Sequence, residues 1–261
     1  MTPHVERILK RLRLGRPVVS GPQRVIHTQV MDTPVAFCVN MDNDPIQRNH
    51  QRGTFYELKE LTRLIDLFPE GGVFVDIGAN VGNHSIFAAK FLKPSRVIPF
   101  EPNPRAYNLL IQNVLANQLL DVFDLSKLGV GLSDSHSGGF AMEDRERNLG
   151  GAKMLEGEGD LEVFPADQLL ADETPAMIKI DVEGMEMPVL AGLAETVARA
   201  RPMILAEIDN TNEDAFMAWA EDNGYAVLRT YQRYRLNKNH LLVDKDAAEK
   251  LNLDEEGAVN A

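Results

Sequence analysis

Carboxylates recur at the ends of apolar runs in this chain, where they are placed to do chemistry. Asp76 closes the run Val73-Phe74-Val75 and is followed by Gly78 and Gly82. Glu101 closes Arg96–Phe100, a run that ends in Pro99-Phe100. Asp181, Glu183 and Glu186 cluster just after Met177-Ile178-Lys179-Ile180. Glu207 and Asp209 end the run that starts at Met203. A carboxylate in such a position accepts hydrogen bonds from a ribose, takes a proton from a hydroxyl, or binds a cation.

The segment Val75–Asn83 reads VDIGANVGN. A buried strand, a tight turn and a helix start in that order hold a nucleotide-like cofactor at a strand's carboxyl end. The dinucleotide fingerprint G-x-G-x-x-G fails here. Counted from Gly78, its second glycine position holds Asn80 and its third holds Asn83. Asp76 is also a poor neighbour for a pyrophosphate. A cofactor with a cationic end suits that field better, and S-adenosylmethionine carries a sulfonium and an ammonium but no phosphate. Glu101 lies 19 positions after Gly82 (101 − 82), placed to accept hydrogen bonds from both ribose hydroxyls. In isolation Glu101 also reads as a helix-start acid favoured by the dipole; paired with the glycine turn, the ribose role is the stronger reading.

Methyl transfer is an in-line displacement that needs aligned reactants and a base for the acceptor's proton. Asp181 or Glu183 supplies that base or anchors the acceptor. Glu186 reads as an ordinary first-turn acid, and Lys179 as half of an ion pair. Glu207 stands beside Asp181 if their strands are neighbours; each acid then raises the other's pKa, which favours a base role for one of them. A divalent cation is the competing use of such a cluster. The spacing matches no defined metal loop, so no metal is expected. The six histidines show no ligand spacing, and His84 reads as a surface or cap residue.

Strands and helices must alternate to bring these acids together. Strand 73–77 precedes helix 82–92, strand 96–101 precedes helix 104–117, strand 176–181 precedes helix 186–199, and strand 203–208 precedes helix 212–223. Short β-like runs lie at 120–125, 128–133 and 161–165, and 225–231 with 240–244 reads as a closing β-pair. Residues 54–68 form a lead-in helix. Residues 135–160, rich in Gly, Ser and charge, read as a long exposed insertion. Arg24–Val30 and Pro34–Asn40 form an accessory hairpin. The pattern predicts an α/β fold with a mostly parallel sheet and helices on both faces. Right-handed crossovers then put every loop after a strand on one edge, where ligands bind.

Composition narrows the class. The chain has 261 residues, 44% of them hydrophobic, which suits one large α/β domain with additions. A net charge of −12 and a pI of about 5.0 argue against a nucleic-acid partner. One cysteine, Cys38, excludes a disulfide framework and fits a cytoplasmic, reducing location. No apolar run approaches the ~18–20 residues that span a bilayer, and no secretory signal is expected at the N-terminus. Residues His4–Arg16 carry six basic residues on an amphipathic pattern. They read either as a weak contact for an anionic membrane surface or, as expected here, as a short helix packed on the domain.

The blocks VDIGANVGNHS, FEPNP and IKIDVEGMEMPVL resemble the FkbM family of S-adenosylmethionine-dependent methyltransferases, in the family's order and spacing. The resemblance extends over about residues 55–244, with TFYELKEL as a family-like lead-in. It implies a Rossmann-like seven-stranded methyltransferase sheet and methylation of a hydroxyl, often on a sugar or secondary metabolite. By position, it implies that Asp76, Gly78, Asn80 and Gly82 hold the cofactor's methionine end, that Glu101 holds the ribose, and that Asp181 and Glu183 lie by the methyl group. Ala79, Asn83 and Asn103 complete the candidate cofactor set. Ser85 stands where the family often has Thr, and the hydroxyl is retained. The expected division is an N-terminal helix-and-hairpin extension over 1–54, a methyltransferase domain over 55–244 and an acidic tail over 245–261. Segments 1–54 and 135–160 lie outside the motifs and are expected to shape the acceptor pocket. The alternatives are an NAD(P)-dependent oxidoreductase and a cofactor-binding module without catalysis.

Overall fold

The computed structural model describes residues 2–157, 159–232 and 235–250, with residues 249 and 250 by backbone only. Helix α1 (Pro3–Arg13) opens on a proline, whose fixed φ suits a first helical turn, and buries Val5 and Ile8. Strands β1 (Arg24–Val30) and β2 (Thr33–Val39) form the expected antiparallel hairpin. Its two-residue turn, Met31-Asp32, is left-handed at both positions, which matches the twist of paired strands. Helix α2 (Pro45–Gln51) is capped by Asp44, whose carboxylate accepts the Gln47 N–H at 2.9 Å. The lead-in helix expected over 54–68 is shorter than its periodicity implied. Only α3 (Leu58–Thr62) forms as helix. It cannot start earlier because Glu57 sits at φ 58 and a left-handed residue cannot continue a right-handed helix. Past Thr62 the chain tightens into turns bonded three residues apart, such as Leu64 N–H to the Leu61 carbonyl. The stretch still buries Phe55, Leu61, Leu64 and Phe68.

Strand β3 (Val73–Ile77) leads through the glycine turn into α4 (Asn83–Phe87), which continues as one π-helical stretch over Ala88–Leu92. Strand β4 (Arg96–Phe100) leads into α5 (Pro104–Ala116), capped by Asn103. Two short strands follow, β5 (Gly131–Leu132) and β6 (Ser137–Met142), then β7 (Met154–Glu156) and β8 (Leu161–Phe164). After α6 (Ala166–Leu169) come β9 (Pro175–Ile180), α7 (Glu186–Ala191) and α8 (Ala194–Ala200). The single helix expected at 186–199 is therefore broken. A Cβ at Gly192 would lie 2.1 Å from the Ser133 carbonyl oxygen, so the chain kinks where it passes that loop. Strand β10 (Met203–Asp209), α9 (Glu213–Asp222), β11 (Tyr225–Tyr231), β12 (Asn237–Asp244) and α10 (Lys245–Lys250) complete the described chain. Of the acidic tail, residues 251–261 lie outside the described residues.

Among the described residues the main sheet has six strands, in the order β11-β12-β10-β9-β3-β4. Strands β10, β9, β3 and β4 run parallel, and β12 joins β10 antiparallel and is paired antiparallel by β11. This corrects the seven-stranded expectation. The run at 120–125 contributes one bridge, Val97 to Phe123, outside β4. The run at 128–133 leaves that edge at Gly129 (φ 79) and pairs with β8 instead. The 135–160 stretch, exposed along much of its length as expected, also forms strands: β6 and β7 pair with each other, and β5-β8-β6-β7 form a second sheet.

Side chains alternate along β3, so the sheet has two apolar faces. Phe74 packs with Ile86, Phe87 and Leu110 from α4 and α5, together with Phe37 of the hairpin and Phe55. Val75 and Ile77 pack with Val189, Val197 and Phe216 from α7, α8 and α9. Helices thus cover both faces, as expected. Among the described residues no helix is long and apolar enough to cross a membrane.

Candidate active site

The glycine turn is fixed by its neighbours. Gly78 and Ala79 both donate backbone N–H bonds to the Phe100 carbonyl at 3.0 Å. Gly78 has φ 74, and a Cβ there would sit 1.8 Å from the Asp181 carbonyl oxygen. No other residue fits, because the end of β9 crosses directly over the turn. Asn80, at φ 50, donates its N–H to Glu101 Oε2 at 2.7 Å. The other Glu101 oxygen accepts the Asn103 N–H at 2.8 Å. One carboxylate therefore ties the first turn to the start of α5. Burial raises the Glu101 pKa to about 7, opposed by those two N–H bonds and by Lys179.

Gly78, Asn80, Glu101, Asp181 and Glu183 line one cleft. Its apolar walls include Phe100, Leu132, Met142 and Met154. The chemistry of these donors fits S-adenosylmethionine: a carboxylate for a ribose diol, an apolar slot for an adenine, and a buried Asn80 Oδ1 that has no hydrogen-bond partner among the described residues. Residues Met142, Leu149, Gly150 and Met154 come from the 135–160 stretch, and spacing gave no signal of them. They lie close over the turn; a Cβ at Gly150 would be 2.8 Å from the Asn80 amide nitrogen. The cavity left beneath them is about 70 Å³, well below the ~300 Å³ at the small end of ligand sites.

Other expected cofactor residues lie behind the turn. Asp76 is fully buried and accepts the Ser85 hydroxyl at 2.6 Å. Strand register pairs it with Lys179, whose Nζ is 3.3 Å from its carboxylate. Ala79 is buried, and Gly82, at φ 88, faces Leu110. The Asn83 side chain accepts the Tyr56 N–H at 2.9 Å and contacts the His50 ring at 3.0 Å, which ties the N-terminal segment to α4. Asn103 caps α5 through the Arg105 N–H. None of these five lines the cleft.

The acceptor-side acids do converge. Asp181, Glu183 and Glu207 each bring a carboxylate oxygen within 4.8 Å of the others. Register explains it: the last β10–β9 pair is Ala206 with Ile180, so Glu207 and Asp181 stand next in line. Glu183 is held at φ 47, followed by Gly184 at φ 93, so the tip is backbone-strained. Glu186 is buried and accepts the Gly184 N–H at 2.7 Å and the Asn212 amide at 2.6 Å; it holds the turn. Burial and then Asp181 raise the Glu183 pKa to about 7. Burial, Asp181 and Glu57 raise Glu207 to about 9. Burial pulls Lys179 down, but Asp181 and Asp76 outweigh it and hold its ammonium above the ordinary lysine range. Lys179 Nζ donates to the Gly78 carbonyl at 2.7 Å and lies 3.4 Å from Asp181 Oδ2. His84 is not at the surface, as its position had suggested. Burial, helped by Lys179, lowers its pKa to about 4, so a neutral imidazole sits 3.6 Å from Glu57. Chemically the cluster is able to take a proton or to ligate one cation.

Residues 76–230, more than half of the chain, match the family model for the methyltransferase FkbM domain. The chain is 28% identical over 139 residues to the hexuronic acid methyltransferase AglP of Haloferax volcanii, covering 51% of this chain and 55% of that protein. It is similar to the solved structure of M. jannaschii TYW2 in complex with AdoMet, with a TM-score of 0.47 and 16% identity over 87% of both chains. It is also similar to an FkbM methyltransferase from Methylobacillus flagellatus KT, with a TM-score of 0.46 and 19% identity over 66% of this chain and 43% of the other. The chain spans 55%, 27% and 62% of the lengths of the curated relatives it matches.

Proposed function

The chain belongs to the FkbM family of S-adenosylmethionine-dependent methyltransferases, and from that premise we propose that it methylates a hydroxyl oxygen on a saccharide or another small hydroxylated acceptor. S-adenosylmethionine, when bound, supplies an electrophilic methyl group. The observation that carries the reading is the meeting of Asp181, Glu183 and Glu207 beside the cleft that Glu101 and the glycine turn line. A hydroxyl is a weak nucleophile until a base withdraws its proton, and the best base has a pKa near the working pH. Glu183, at about 7, is the proposed base. Glu207, raised to about 9, is protonated near neutral pH and donates a hydrogen bond to the acceptor. Asp181, held by Lys179, orients that acceptor.

On the cofactor side, Glu101 accepts from the ribose hydroxyls, and Gly78, pressed against the Asp181 carbonyl, sets the turn that lines the cleft. Asn80 Oδ1 takes the ammonium. Asp76, Ala79, Gly82, Asn83 and Asn103 keep the turn in shape. The family favours methyl transfer over the hydride transfer of an oxidoreductase, and the carboxylate cluster favours a catalyst over a binding module. A relative named as a hexuronic acid methyltransferase supports a saccharide acceptor. Residues 55–244 form the proposed catalytic unit, with 1–54 as an extension and 245–261 as a tail. Methyl turnover with a panel of hydroxylated acceptors, and NMR of the product, tests the reading. An O-methyl product is expected; turnover only onto nitrogen or carbon would contradict it.

A further inference from the structure

We propose that the N-terminal face, built from α1 and the segment after it, docks on an anionic phospholipid surface. The proposal is independent of which acceptor the site takes. Charge is the first observation. Arg7, Lys10, Arg11, Arg13 and Arg16 fall within ten residues, beside the single acid Glu6, in a chain whose net charge is −12. All five are exposed. Their direction is fixed, because Val5 and Ile8 are buried in the core and His4 Nε2 lies 2.9 Å from Asn108 Oδ1 on α5. The helix is thus packed on the domain, as its short apolar stripe implied, with its cations turned outward.

The second observation is a cavity of about 650 Å³ between α1, residues 17–23 and α5. Arg7, Arg11 and Arg105 line it with Gln23 and Gln112, and no carboxylate does. Such a lining suits a phosphate-bearing headgroup. The third observation is apolar. Val19 is 89% exposed and Leu14 57% exposed, on the same lobe as the cations. A basic face with protruding apolar side chains is the pattern of a surface-lying membrane contact. A polynucleotide would use the cations but not Val19 or Leu14. A free phosphate would use the cavity alone.

The face adjoins the active edge. Arg105 lines the cavity and also pairs with Asp144 of the stretch that covers the cleft. Docking would therefore set the cleft near the membrane plane.

Sedimentation of the full chain with vesicles tests this. Vesicles of phosphatidylcholine alone are compared with vesicles in which phosphatidylglycerol replaces a third of it. Binding only to the anionic vesicles, weakened by salt, is expected. Replacing a cation near such a surface costs about fivefold in affinity, so the triple variant K10Q/R13Q/R16Q should bind roughly 100-fold more weakly. Val19→Asp should also weaken binding while salt dependence persists. Both variants should keep the wild-type melting temperature and S-adenosylhomocysteine affinity. Equal binding to both vesicle types, or to neither, overturns the proposal. So does saturable binding of inorganic pyrophosphate without vesicle binding, or equally tight binding of single-stranded RNA.

Discussion

At the scale of single residues, Asp181, Glu183 and Glu207 meet in one cluster, and Lys179 pairs with Asp181 and Asp76 behind it. Glu183 is assigned the proton, so Glu183→Gln should lower kcat by ~10²–10⁴-fold while S-adenosylhomocysteine still binds with unchanged affinity. The working form of a base is deprotonated, so wild-type kcat/KM should rise with pH through about 7. A rate independent of pH across that range would remove Glu183 from the role. Lys179 is buried against Asp76 and Asp181. Lys179→Met strands two carboxylates and should cost ~3–5 kcal/mol in chemical denaturation; a loss below about 1 kcal/mol would show that the pair is dispensable. Much of this was legible in sequence. Asp181, Glu183 and Glu207 each end or follow a strand-like run, and parallel order brings such ends together. The buried position of Asp76 was not legible, because its partner Lys179 is set by inter-strand register. Nor was that of His84, which depends on Glu57 and the distant Lys179.

At the scale of elements, the stretch over the cleft is held by a latch. Asp44 is fully buried; one oxygen caps α2 and the other accepts the Leu149 N–H at 3.0 Å. Asp44→Ala removes both acceptors. It should cost about 2 kcal/mol of stability and speed proteolysis within residues 143–153, since the Leu149 N–H loses its buried acceptor. Unchanged cleavage would show that the stretch is held by its apolar contacts alone. The parallel strands were readable because each is a short apolar run between turn signals. The β6–β7 pair was not. Strand β6 carries two glycines and β7 has only three residues, and the pairing of β6 with β8 closes only in three dimensions. The lead-in helix failed for a related reason: its apolar periodicity was real, but the backbone at Glu57 is left-handed.

At the scale of the whole molecule, the N-terminal extension and the catalytic unit share one core, since Val5, Val35 and Phe37 pack in the cluster that holds Phe74 and Phe87. Sequence pattern separated residues 1–54 from the rest because local periodicity carries no record of which faces meet. Stability should also carry the signature of the site. Glu101, Glu183 and Glu207 all have folded pKa values above their ordinary value of 4.5. Each binds its proton more tightly when folded, so its contribution is full below that value and is lost as pH rises through about 7 for Glu101 and Glu183, and about 9 for Glu207. Glu207→Gln should therefore flatten the alkaline part of the decline in denaturation midpoints; an unaltered decline would contradict the burial of that charge. The central claim is that the cleft beneath the glycine turn is the S-adenosylmethionine site. Calorimetry with S-adenosylhomocysteine tests it most directly. Saturable binding to the wild type is expected, with a Kd at least about 5-fold weaker in Glu101→Ala, from the lost hydrogen bonds. No binding to the wild type at high micromolar concentration would contradict it.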